Sequence, residues 1–141
     1  RGHKLRHTVV DFVKRMDYDV DVWGRAYRPF DRHVEALKDY YFNISIINAK
    51  EMNYFGDHPM SCFRTGTVPI FWGCPNIGDF FNEKGVLSFD TGQELKEILD
   101  NISPQLYYEM LEHVEDNFNR VQKYNCIDDC VFETIKETLK L

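Results

Sequence analysis

The sequence predicts a single α/β domain in which a mainly parallel sheet is flanked by helices. Two observations carry this expectation. Short β-branched or aromatic runs alternate with stretches of helical periodicity, and glycine, proline or a capping residue punctuates each change. The chain of 141 residues, 43% hydrophobic and 15% aromatic, is long enough for one core and too short for two full-size ones.

Leu5, Val9, Val10, Phe12, Val13 and Met16 recur at helical spacing and predict a helix over residues 4–16. Val20-Asp21-Val22-Trp23 alternates and stops at Gly24, which predicts a short strand. Asp31 as a cap, followed by Val34 and Leu37, predicts a short helix over residues 31–39. Residues 41–47 (Tyr-Phe-Asn-Ile-Ser-Ile-Ile) form the clearest strand. Residues 58–64 read as a helix with Pro59 in its first turn, where a missing N–H costs nothing, and Gly66 ends it. Residues 67–72 make a second strong strand closed by Gly73, and Pro69 within it favours an edge or a bulge.

Residues 76–81 suggest one or two helical turns, and residues 85–89 a third strand. Asp90 or Thr91 caps a helix through Leu99. Ser103 with Pro104 next opens a long helix that carries Leu106, Met110, Val114, Phe118 and Val121. A last amphipathic helix covers residues 131–139. The whole of residues 1–141 is therefore one domain with a helical tail over about residues 91–141.

Charge narrows the function. The formal net charge is −6 and the pI near 5.3, which argues against nucleic-acid binding as the main activity. Residues 1–90 hold 12 acidic and 12 basic side chains, whereas residues 91–141 hold 11 and 5. An anionic ligand is therefore to be sought in the first two-thirds. No apolar run is long enough to span a membrane and no signal-peptide core is visible, so localisation stays open, with a cytoplasmic placement as one option. Cys62, Cys74, Cys126 and Cys130 are too few for a disulfide scaffold. A metal on Cys126 and Cys130 would need further ligands, with His113 the nearest, so buried or surface thiols are expected and no metal site is assigned. The overlapping Asp-x-Asp triplets at Asp17, Asp19 and Asp21 enter a strand from the wrong end for a ligand of a parallel sheet.

Parallel sheets bind ligands where their strands end. The loop after the clearest strand carries Asn48, Lys50, Glu51, Asn53, Tyr54, Asp57 and His58, directly before a helix start. Polar side chains beside the free N–H groups of a helix N-terminus suit a diphosphate. Arg6 lies in a basic run at the start of the first helix, the unfavourable end of the macrodipole for cations, which hints at an anion there. No Gly-x-Ser-x-Gly, Gly-x-Gly-x-x-Gly or phosphate-loop motif is present.

Residues 42–75 resemble the C-terminal, donor-binding half of the α-1,3-fucosyltransferases. That family shows a strand ending Glu-Asn, then Tyr, then Thr-Glu-Lys opening a helix, then Gly-Thr-(Ile/Val)-Pro-Ile-(Tyr/Phe)-Trp-Gly. This chain has Asn48, Tyr54, Asp57-His58 and an intact Gly66-Thr67-Val68-Pro69-Ile70-Phe71-Trp72-Gly73. Residues 2–6, 21–27 and 79–85 extend the likeness. The resemblance implies a Rossmann-like domain similar to the C-terminal half of a GT-B glycosyltransferase, binding a GDP-sugar such as GDP-fucose without metal or cofactor. It implies that Arg6 contacts the diphosphate, that Asn48 and Tyr54 lie beside ribose and phosphates, and that Asp57 and His58 stand for the family's Glu-Lys pair.

The chain departs from the family where Ile47, Gly56, Asp57 and His58 replace Glu, Thr, Glu and Lys. No catalytic residue is expected within these residues. The family's general base belongs to an N-terminal, acceptor-side domain, so a glycan acceptor would engage a missing or separate domain. The chain begins with Arg, and the expectation is a fragment or processed product. The alternative reading is a divergent, non-catalytic scaffold or interaction domain that keeps the fold.

Overall fold

The computed structural model describes residues 2–140, with the side chains of residues 127–130 outside the description. Helix α1 (Gly2–Arg15) precedes strand β1 (Phe42–Ile46), helix α2 (Asp57–Thr65), strand β2 (Val68–Trp72) and the short strand β3 (Leu87–Ser88). Helices α3 (Gly92–Asn101), α4 (Pro104–Glu109), α5 (Leu111–Val121) and α6 (Ile127–Leu139) follow. The sheet is parallel throughout, in the order β1-β2-β3, with Ile44 opposite Ile70 and Ile70 opposite Leu87. This is an α/β, Rossmann-like arrangement.

Alternation along the strands builds a layer on each face. Ile46 and Ile70 pack with Val9 and Val13 of α1 and with Leu95 and Leu99 of α3. On the other face Phe71 packs with Phe63 of α2, Phe81 and Val121 of α5. Burying each such side chain contributes about 1.5–3 kcal/mol. Ser45 faces this second layer, fully buried, and satisfies its hydroxyl on Asn43 and on the Cys62 thiol. Burial pushes that thiol up to about 12, so Cys62 is an inert core group.

Local chemistry explains the element ends. Gly66 closes α2 in the left-handed region (φ 70°), its N–H bonding back to the last turn. Thr91 and Glu94 form a capping box on α3, and Ser103 with Pro104 starts α4. Asn117 is wholly buried, and its amide accepts from the Asn82 N–H (2.7 Å) and donates to the Asn82 carbonyl (2.9 Å). That pair of bonds clamps the segment before β3 onto α5.

Several expectations are corrected. Residues 20–23 form no strand; the chain turns back at Gly24, so Trp23 makes only an isolated bridge to Arg28. Residues 31–39 contain only a 3₁₀ turn, His33–Ala36. Two 3₁₀ turns, Ile77–Asp79 and Glu83–Gly85, occupy the region before β3, which itself is only two residues long. The long helix from Pro104 breaks at Met110, whose ψ of −2° separates α4 from α5. Pro69 sits in the central strand. Val68 donates to Tyr41 of the β1 side and Phe71 accepts from Phe89 on the β3 side, so the absent Pro69 N–H points toward β3. Pairing with β3 starts only opposite Ile70, and no ladder bond is lost.

Candidate functional site

The candidate site forms at the carboxyl end of β1. Three segments converge on Ile47, the residue that follows the strand. A Cβ on Gly2 would lie 1.9 Å from the Ile47 carbonyl oxygen, one on Gly73 would lie 2.4 Å from Ile47 Cγ1, and one on Gly56 3.3 Å from Cγ2. The glycine at the start of α1 therefore lets that helix abut the strand end, and the Gly2 N–H donates to the Asn48 carbonyl (3.0 Å). One turn further along α1, Arg6 Nε donates to the Ile46 carbonyl (2.8 Å) and Nη2 to Asn48 Oδ1 (3.1 Å). Ile46 lies on the unpaired edge of β1, so Arg6 seals that edge. Three of its five guanidinium N–H groups remain for a ligand.

Helix α2 starts opposite this corner. Gly56, at φ 66°, supplies no side-chain cap, which leaves the first N–H groups of α2 open at the positive end of its dipole. Asp57 is exposed in the first turn, with Oδ1 4.0 Å from His58 Nε2. Burial lowers the His58 pKa; the Asp57 carboxylate opposes this, while the positive charge of Arg6 and the neighbouring His33 reinforce it. His58 is therefore neutral at pH 7. Its ring meets that of His33 edge-on at 5.8 Å, and His33 in turn meets Phe30 at 5.4 Å.

Arg6, Asn48, Asp57 and His58 thus share one corner. Tyr54 is placed differently. It closes the tight turn that starts at Glu51, is 41% exposed, and makes no side-chain hydrogen bond to those four among the described residues. Its neighbour Phe55 anchors the turn instead, packed on Phe80, Phe81 and Tyr124. Ile47, at the position of the family's Glu, is 2% exposed and belongs to the core.

Sequence reasoning missed Phe30 and His33, which no periodicity connects to His58, and it mentioned Lys50 without a role. Lys50 Nζ is paired with Asp90 Oδ1 (2.6 Å) across a crevice of about 200 Å³ at the carboxyl ends of β2 and β3. A larger open groove of about 740 Å³ runs between residues 75–84 and α5, away from the corner. Its Asp79, Glu83, Glu112 and Asp116 outnumber Lys84 and Arg120, so it does not favour an anion.

Among the described residues no group of three His, Cys, Asp or Glu side chains could hold a metal ion, and the Asp21 carboxylate is taken by the Tyr40 hydroxyl. Cys62, Cys74 and Cys126 are free, and the Cys130 side chain lies outside the described residues. No helix among the described residues is long and apolar enough to cross a membrane.

Fold and corner together define a Rossmann-like α/β domain with a cationic group at the end of its first strand. The chain is similar to the alpha-(1,3)-fucosyltransferase FucT of Helicobacter pylori, 28% identical over 68 residues, which is 48% of this chain and 14% of that protein. It is also 28% identical over 82 residues to a fucosyltransferase-like protein of Arabidopsis thaliana, 56% of this chain and 16% of that one. The chain thus spans about one-seventh of the length of these curated relatives. No family model matches it, and no solved structure does.

Proposed function

We propose that this chain binds a nucleotide-sugar donor of the GDP-fucose class as the donor half of a metal-independent, GT-B-type glycosyltransferase. The observation that carries this reading is the Arg6 guanidinium held against Asn48 at the carboxyl end of β1, facing an α2 N-terminus with no side-chain cap. The likeness to fucosyltransferases supports it. In this reading the planar fork of Arg6 and the α2 N–H groups hold the diphosphate. Asn48 orients Arg6, and Asp57 accepts from hydroxyl groups rather than from phosphate. Charge grows on the diphosphate as the sugar departs, so the Arg6 cation stabilises the transition state more than the ground state. The base that deprotonates a glycan acceptor comes from outside these residues.

Calorimetric titration with GDP tests the reading. GDP at 100 times its dissociation constant would stabilise the fold by about 2.7 kcal/mol. Arg6→Ala removes GDP binding, whereas absence of binding to the wild-type chain overturns the proposal. The second reading, a non-catalytic domain, draws on the buried Ile47 and the neutral His58. His58→Lys separates the two: it raises GDP affinity in a donor site and leaves a scaffold unchanged.

A further inference from the structure

The crevice at the ends of β2 and β3 is small and is joined to the corner through Gly73, which lines it and lies against Ile47. Gly73 and Cys74 follow β2 and form one wall, Ser88 and Asp90 follow or end β3, and Lys50 reaches over from the loop after β1. The floor is the buried Phe71 and Phe89. Its volume of about 200 Å³ lies below the roughly 300–1,000 Å³ of sites that hold drug-sized ligands. It accommodates a single ring, not a nucleotide.

We propose that this crevice receives the sugar ring of the donor, with the Lys50–Asp90 pair and Ser88 reading its hydroxyl groups. The inference rests on the donor-binding reading above. Lys50 and Asp90 present an ammonium donor and a carboxylate acceptor 2.6 Å apart, a spacing that matches adjacent hydroxyls on a pyranose. Asp90 Oδ2 and the Ser88 hydroxyl have no hydrogen-bond partner among the described residues, which leaves one acceptor and one donor–acceptor for the ligand. The Asp90 side chain is not part of the α3 cap, where Glu94 accepts from the Asp90 and Thr91 N–H groups. Asp90 is thus free to exchange partners without uncapping the helix.

The placement fits a diphosphate bridging the two sites. Lys50 is two residues beyond Asn48, a span of at most about 7 Å of chain, and Gly73 packs directly on Ile47 between them. A ligand whose diphosphate lies on Arg6 has its sugar within reach of the crevice.

Calorimetry on the full chain with GDP, GDP-fucose and GDP-mannose tests this. A hydrogen bond to a charged group lost from a sugar site costs roughly tenfold in affinity, and a neutral one a few-fold. GDP-sugar binding is therefore expected to fall about tenfold in Asp90→Asn and about three-fold in Ser88→Val, with GDP affinity unchanged. Melting curves confirm that both variants fold, and either one alone suffices. Equal loss for GDP and GDP-sugar, or no loss for either, overturns the sugar subsite while the donor-binding reading stands. Failure of GDP itself to bind the wild-type chain overturns both.

Discussion

The corner at the end of β1 and the helix α6 are built from similar apolar runs and end in opposite environments. Ile47 is 2% exposed, enclosed by the glycines of α1, of the α2 entry and of the β2 exit. Phe132 and Leu139 of α6 are more than 60% exposed, and Val131 and Ile135 about half. Both regions show apolar residues at the spacing of their elements, so pattern alone does not say which is buried. Burial requires other segments to close over the run, and at Ile47 that closure depends on three residues without a Cβ. A helix of this length gains little from propensity alone in water, so α6 draws on few of the contacts that hold the corner.

The comparison is broken most severely by placing charge at its buried end. Ile47→Glu puts back the residue type of the fucosyltransferase strand end, and it is expected to destabilise the fold by about 3 kcal/mol or more, because a carboxylate enters a closed apolar cluster. Urea denaturation measures this; a change below about 1 kcal/mol would mean that the corner opens to water. A smaller effect sharpens the electrostatics of the same corner. Burial lowers the folded-state pKa of His58 below its ordinary value of 6.5. The unfolded chain then binds more protons between that value and the lowered one, so His58 makes stability fall as pH drops through this window. His58→Gln removes that part of the slope, read from melting temperatures between pH 7 and 5. The smallest effect belongs to α6: Phe132→Ser should change stability by no more than about 0.5 kcal/mol. A larger loss in denaturation would show that the apolar face of α6 is covered in solution.

Much of the fold was legible because its signals are local. Strands β1 and β2, the stop at Gly66, the caps at Thr91 and Ser103 and the α/β alternation each depend on a few adjacent residues. Residues 20–23 show the limit, since alternation makes a strand only where the chain runs alongside a partner, and here it turns back through Gly24. Pro69 shows it again: a proline is barred from a central strand only where its missing donor would face a paired residue, and the late start of β3 leaves none opposite Pro69. At the candidate site, the Arg6–Asn48 contact spans 42 positions, and only the likeness to a known family assigned the two residues to one pocket. The neighbours His33 and Phe30 carried no such signal.

The sequence by itself determined the class of fold, the ends of most elements and the placement of acidic charge in the helical tail, because propensity, capping and composition act over a few residues. Tertiary structure alone decided that Ile47 is a core residue and not a ligand, that His58 is neutral, and that Lys50 meets Asp90 over a crevice. Each of these depends on which distant segments approach one another. Such approaches are governed by steric closure and desolvation, and these act on the assembled molecule rather than on any local stretch of chain.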